Sequence, residues 1–322
     1  MSSVQLLRRW LPLLALIWQL GAATTSQAQA ADTSSAVRHQ FLSFDGHKVF
    51  YREAGAPDAP TVLLLHGFPS SSHMFRNLIP KLATRYHVVA PDLPGFGLTE
   101  VNPNAAFGYS FDEMAKFVER FVEQKQIKRH ALYVFDIGAP VGWRLAVAHP
   151  ERVTAIVSQN GNAYEEGLSP GWDPVRRFWK DPTPANREPL RMFFKAETTK
   201  WQYLQGVKDP SRVAPEGYLL DQYFLDRPGQ ETIQLAILLD YRSNLKQYAE
   251  THQYFRKHQP PLLAVWGAGD PFFLPDGATA FKRDLPKAEV RLIDGAGHFA
   301  LESHGDLIAS AVIAFLARNA RE

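Results

Sequence analysis

Six short, largely apolar runs, each cut off by a turn, set the architecture open to this chain. They are Val62–Leu65, Tyr86–Ala90, Ala131–Phe135, Val153–Val157, Leu262–Trp266 and Val290–Ile293. A strand that is apolar on both faces has to be covered on both faces, and such strands belong to parallel sheets flanked by helices. Helical patterns separate the runs. Ser71 to Thr84 reads as one helix, and Trp143 to Ala148 lies within another. Between them Ser110 and Glu113 have the spacing of a capping box, and Phe111, Met114, Phe117, Val118, Phe121 and Val122 recur on one helical face. Ahead of the first run, apolar residues from Phe41 to Tyr51 flank Asp45-Gly46, a two-residue hairpin signal. The alternation predicts an α/β fold, a doubly wound and mostly parallel sheet. With 322 residues, 45% of them hydrophobic and 21% charged, the chain can bury a core of that size.

Two stretches depart from the rhythm. Residues 164–258, rich in Trp, Tyr, Arg and Pro with helical periodicity, read as a helical cap inserted into a core made of residues 31–163 and 259–322. A cap over the carboxyl edge of the sheet keeps water from a site there. At the other extreme, Arg8 and Arg9 precede an apolar stretch from Trp10 to Ala23 and a polar run ending Ala28-Gln29-Ala30. Residues 1–30 therefore read as a signal peptide, with an apolar core short of the roughly 20 residues that span a bilayer, and a periplasmic or secreted location is expected. The absence of cysteine excludes disulfides and thiolate metal sites, and the scattered histidines give no ligand-spaced pair. No metal and no cofactor is expected. A net charge of +2, with basic clusters such as Lys125 to Arg129 interrupted by apolar residues, argues against nucleic acid and for a small organic substrate.

The chemistry-bearing residues stand where the runs end. Leu132-Tyr133-Val134-Phe135 leads straight into Asp136-Ile137-Gly138-Ala139-Pro140, a strand-to-helix elbow of the kind that exposes a nucleophile above a sheet. The usual glycine two residues earlier is replaced by Val134, so the elbow is expected to open slightly or to differ in geometry. Gly267-Ala268-Gly269-Asp270 and Asp294-Gly295-Ala296-Gly297-His298 follow the last two runs, which brings Asp270 and His298 to the same edge. The order nucleophile, acid, histidine is that of a hydrolase triad. Standing alone, Asp136 would as readily cap a helix, and a lone histidine is more often a surface or core residue than a catalytic one.

Together with His66-Gly67-Phe68-Pro69 and Asp92-Leu93-Pro94-Gly95-Phe96-Gly97, these motifs resemble the epoxide hydrolase and haloalkane dehalogenase branch of the α/β-hydrolases, with an aspartate nucleophile. The resemblance runs from the first hairpin to the last helix. It implies that Asp136, Asp270 and His298 are catalytic, that the backbone N–H groups of Phe68 and Ile137 form the oxyanion hole, and that His66 braces its loop. Dehalogenases of this branch place Trp after the nucleophile and often Asn after His-Gly, where this chain has Ile137 and Phe68. Fluoroacetate-cleaving relatives place Arg after the nucleophile and again on its helix, whereas here Arg144 lies much further along. The segment Asp240-Tyr241-Arg242-Ser243-Asn244 resembles the one that carries a ring-opening Tyr in epoxide hydrolases, which makes Tyr241 the acid. For a second donor Tyr203, Tyr164 and Tyr218 all answer, with Tyr203 preferred. Trp201, Trp179 and Trp172 are expected to line an apolar pocket. The activity implied is epoxide hydrolysis, with haloalkane dehalogenation as the alternative and an esterase-like or non-catalytic binding protein behind it.

Overall fold

The computed structural model describes residues 36–320, so the predicted signal peptide lies outside the described residues. Asp45 and Gly46 have φ of +50° and +76°, the conformation of a tight hairpin turn. They join β1 (Arg38–Phe44) to β2 (His47–Ala54), with Phe44 opposite His47. β3 (Thr61–Leu65), β4 (His87–Pro91), β5 (His130–Phe135), β6 (Val153–Gln159), β7 (Leu262–Gly267) and β8 (Glu289–Ile293) complete one sheet in the order β1-β2-β4-β3-β5-β6-β7-β8. Pairings β1 to β2 and β2 to β4 are antiparallel, and the rest are parallel, as the alternation predicts. Because β4 and β5 flank β3 on opposite sides, the winding reverses there, and a crevice opens beyond the carboxyl ends of β3 and β5.

Side chains alternate across the sheet. Leu63 and Leu65 of β3 join the core on one face, and Val62 and Leu64 join the core on the other. α1 (Ile79–Leu82) and α11 (Ala300–Asn319) cover the second face, while α2 (Phe111–Gln124), α3 (Gly138–Ala148) and α10 (Pro275–Asp284) cover the first. In α2 the capping box is made in both directions, and Phe111, Met114, Phe117, Val118, Phe121 and Val122 are all buried. Each of those side chains contributes roughly 1.5–3 kcal/mol of burial free energy. The stretch from Ser71 to Thr84 departs from the predicted single helix: Ser72–Phe75 is a 3-10 turn, and the α-helix is confined to Ile79–Leu82. Pro80 is the reason, since it has no N–H to give the carbonyl four residues back and its ring crowds that carbonyl.

Between β6 and β7 the chain is helical. α4 (Asp173–Lys180), α5 (Pro184–Arg187), α6 (Ala196–Leu204), α7 (Pro215–Leu225), α8 (Gln230–Asp240) and α9 (Arg242–His258) form this insertion.

Candidate active site

At the end of β5 the backbone of Asp136 turns to φ +47°. A non-glycine residue in that region carries strain of order 1–3 kcal/mol, and the turn lifts the carboxylate above the edge of the sheet. Val134 packs where the usual motif has a glycine. The space comes from the other side of the interface: a Cβ at Gly142 of α3 would lie 2.5 Å from one Val134 methyl, and a Cβ at Gly161 would lie 3.2 Å from the other. Two glycines facing the strand replace the one missing from it.

The Asp136 carboxylate is buried, and its Oδ1 accepts a 2.6 Å hydrogen bond from the Phe68 N–H. Burial raises its pKa above the ordinary carboxylate value; the His298 charge and the N–H groups of Ile137 and Phe68 pull the other way without cancelling the rise. His298 Nε2 stands 3.9 Å from Asp136 Oδ2, too far for a direct hydrogen bond. Its Nδ1 is 2.8 Å from Asp270 Oδ2. Burial by itself lowers the His298 pKa, but the charge and hydrogen bond of Asp270, with the charge of Asp136, outweigh it and leave the imidazole raised. Four rings, of Phe135, Phe272, Phe273 and Phe299, surround the imidazole at centroid distances of 4.7–5.8 Å. They hold its plane and keep bulk water away.

Asp270 is itself fixed from three sides. Its Oδ1 accepts from the N–H groups of Phe272 and Phe273, and its Oδ2 accepts from Asn160 Nδ2 at 2.7 Å. Asn160, at φ +46° just beyond β6, also accepts from the Gly267 N–H. Sequence reasoning missed this residue, although an Asn-Gly pair directly after a buried strand was a signal for it. His66 does brace its loop, with Nε2 accepting from the Leu93 N–H at 2.9 Å.

Above Asp136 and His298 lies a narrow cavity of about 50 Å³. Trp172, Val175, Phe193, Ile237 and Leu238 give it apolar walls, and Tyr241 lines it from the junction of α8 and α9. The Tyr241 ring lies against Trp172 at 4.4 Å and parallel to Trp179 at 5.7 Å. The α2–α3 layer grips the chain on either side of it. Asp240 accepts from the Phe111 N–H, and the buried Arg144 donates to Asn244 Oδ1 at 2.8 Å and to Ser243 Oγ at 3.0 Å. Behind Tyr241, the Tyr248 hydroxyl accepts from Asn162 Nδ2.

The other cap candidates are not brought to the cavity. Tyr203 is buried elsewhere, its hydroxyl donating to Asp221 Oδ2 at 2.5 Å and its ring stacked on Phe299 at 3.8 Å. Successive helical residues point about 100° apart, and in α6 it is Gln202 that faces the cavity, so Tyr203 turns away. Tyr164 donates to Asp284, and Tyr218 packs edge-on against Tyr203. Trp201 is 43% exposed and touches Phe272 from outside, and Trp179 sits behind Tyr241 with its N–H on the Leu238 carbonyl. Of the three tryptophans only Trp172 lines the cavity, and its N–H is engaged by the Phe272 carbonyl.

A carboxylate cradled by two backbone N–H groups, an imidazole oriented by a second carboxylate, and a capped apolar cavity together can support displacement at carbon followed by hydrolysis. Known proteins agree in kind. Residues 60–305 match the sequence pattern of the alpha/beta hydrolase fold. An uncharacterized hydrolase of Saccharomyces cerevisiae is 44% identical over 292 residues, covering 87% of this chain and 97% of the relative. A haloalkane dehalogenase of Bradyrhizobium diazoefficiens is 28% identical over 295 residues, 84% of this chain and 92% of its own. The crystal structure of an epoxide hydrolase from Vigna radiata superposes with a TM-score of 0.68 at 23% identity, over 88% of this chain and 98% of its own. The chain belongs to the α/β-hydrolase fold family, and it is a hydrolase of the branch in which haloalkane dehalogenases and epoxide hydrolases are found.

Proposed function

We propose that this hydrolase opens epoxides to diols through an ester on Asp136. The observation that carries the reading is Tyr241: a phenol lines the same apolar cavity as Asp136 and His298, while the indole N–H groups of Trp172 and Trp179 are taken up by backbone carbonyls. A carboxylate attacking an acyl carbon gives an anhydride that reverts, whereas attack on a saturated carbon gives an ester that lasts until hydrolysed. The oxygen of an opened epoxide stays tethered as an alkoxide and needs a proton, which a phenol supplies. In the first half-reaction Asp136 Oδ2 bonds to a ring carbon, the ring C–O bond breaks, and the alkoxide takes the Tyr241 proton. In the second, His298 Nε2 takes a proton from water, and hydroxide adds to Asp136 Cγ. Oδ1, which accepts from the Phe68 N–H, becomes the oxyanion, with the Ile137 N–H as the second donor of the proposed hole. Collapse expels the ester oxygen, which takes the proton of the new carboxylic acid, and the proton on His298 returns to Tyr241. One epoxide and one water give one diol.

Esterification also removes the Asp136 charge that helps hold the His298 pKa up. The imidazole therefore becomes easier to deprotonate just when a neutral base is needed. Asp136→Asn mimics that loss of charge, so NMR titration of the His298 ring should give a lower pKa in this variant than in the wild type. An unchanged or higher value would mean that the two groups are not coupled. Tyr241→Phe should slow single-turnover epoxide opening about 100-fold with little change in melting temperature. Unimpaired opening together with a lower melting temperature would reduce Tyr241 to a packing residue.

Dehalogenation is the second reading, favoured by the likeness to the Bradyrhizobium diazoefficiens protein. A departing halide needs N–H dipoles rather than a proton, and the side chains of Phe68 and Ile137 offer none.

A further inference from the structure

Five titratable or amide side chains line the cavity: Asp136, His298, Tyr241, Gln234 and Gln202. Three are engaged by hydrogen bonds, and Tyr241 is the proposed proton donor. Asp136 accepts from the Phe68 N–H, His298 is held by Asp270, and Gln234 donates to the Gly95 carbonyl at 3.1 Å. Gln202 is 1% exposed, and its Nε2 has no hydrogen-bond partner among the described residues. Its place is firmly set. The chain leaving α6 is pressed onto the two loops that carry the acid and the histidine: a Cβ at Gly297 would lie 2.0 Å from the Gln205 carbonyl oxygen, and one at Gly269 would lie 2.7 Å from the Gly206 carbonyl oxygen. Gln202 stands one turn back from this contact, with its side chain buried.

A buried amide without a partner costs free energy that only a matching ligand recovers. An amide offers both N–H donors and a carbonyl acceptor, the complement of a hydroxyl group, and it has no proton to transfer in the reaction. We infer that Gln202 selects for epoxides bearing a hydroxyl on the carbon beside the ring, small enough for the narrow cavity. This rests on the reading of the site as an epoxide hydrolase and adds the substrate class. An all-carbon epoxide leaves the amide stranded, whereas a hydroxylated one satisfies it, and a site built to bind a hydroxyl discriminates strongly against the analogue without it.

Glycidol and 1,2-epoxybutane test this directly, because they differ only in a hydroxyl against a methyl. The purified protein is expected to favour glycidol in kcat/KM by about tenfold or more. Gln202→Met, of similar length and apolar, should lose that preference by falling on glycidol while holding or gaining on 1,2-epoxybutane. Gln202→Leu, measured alongside with melting curves for both variants, guards against a methionine that refills the cavity. Equal losses on both substrates, or no change on either, would overturn the assignment of Gln202 and leave the epoxide chemistry standing. If neither epoxide is turned over, and neither leaves an adduct of full mass on the His298→Gln protein, the epoxide reaction itself falls and the inference with it.

Discussion

Asp136→Ala is expected to reduce epoxide turnover by about 10⁴-fold or more and to leave the protein folded. The change strands the Phe68 N–H, a cost of about 1–3 kcal/mol. It also deletes a carboxyl whose burial disfavours its charged form, a gain of the same order. The two nearly offset each other, so the melting temperature should move by only a few degrees. An Asp136 whose task was to cap α3 would give the opposite pattern, with activity kept and stability lost. Turnover and thermal melting on one preparation separate the two.

The second large effect is a division of the reaction. His298→Gln removes the base that activates water, a loss of about 10² to 10⁴-fold, and leaves Asp136 as a nucleophile. The first half-reaction should proceed and the second stall. Intact-mass measurement after incubation with a panel of epoxides, haloalkanes and activated esters reads the outcome directly. A gain equal to the whole epoxide, mapped to the peptide bearing Asp136, is the expected result. A gain lacking the halogen would move the assignment to dehalogenation, and an acyl gain would move it to esters. A protein that takes up no mass from any of them would contradict covalent catalysis by Asp136.

The sheet and the elements that carry Asp136, Asp270 and His298 were legible because each polar residue follows a largely apolar run within a few positions. In a parallel sheet that spacing alone brings them to one edge. The register bears this out, with Leu65 beside Val134 and Gly267 beside Ile293 at the strand ends. The cap was legible only as helical. Along α6 the buried residues Thr199, Gln202 and Tyr203 are all polar or amphipathic, so no apolar stripe reveals which side chain faces the cavity. Tyr203 was preferred on chemistry, and the helix turns Gln202 inward instead. Tyr241 was legible through its neighbours, because Asp240, Ser243 and Asn244 are the residues that bind the α2–α3 layer. The break at Pro80 could have been read from the sequence, since proline cannot continue a helix begun four residues earlier.

The exchange of bulk between Val134 and its two facing glycines bears on how such an elbow can change over generations. The constraint acts on the summed volume of three positions distant in sequence, 134, 142 and 161. A lineage with glycine on the strand cannot acquire valine there unless the residue at position 142 is small enough to leave room for it. From the present state Gly142 cannot enlarge until the valine is lost, whereas Gly161 is also held small by Ser158 Oγ and the Ala139 Cβ, which an added Cβ would meet at 2.8 and 2.9 Å. Each substitution is admissible only against a particular background, so the positions are epistatic and the route between the two states is ordered. Any search that demands the glycine at a fixed place in the motif will pass over chains that have already made the crossing.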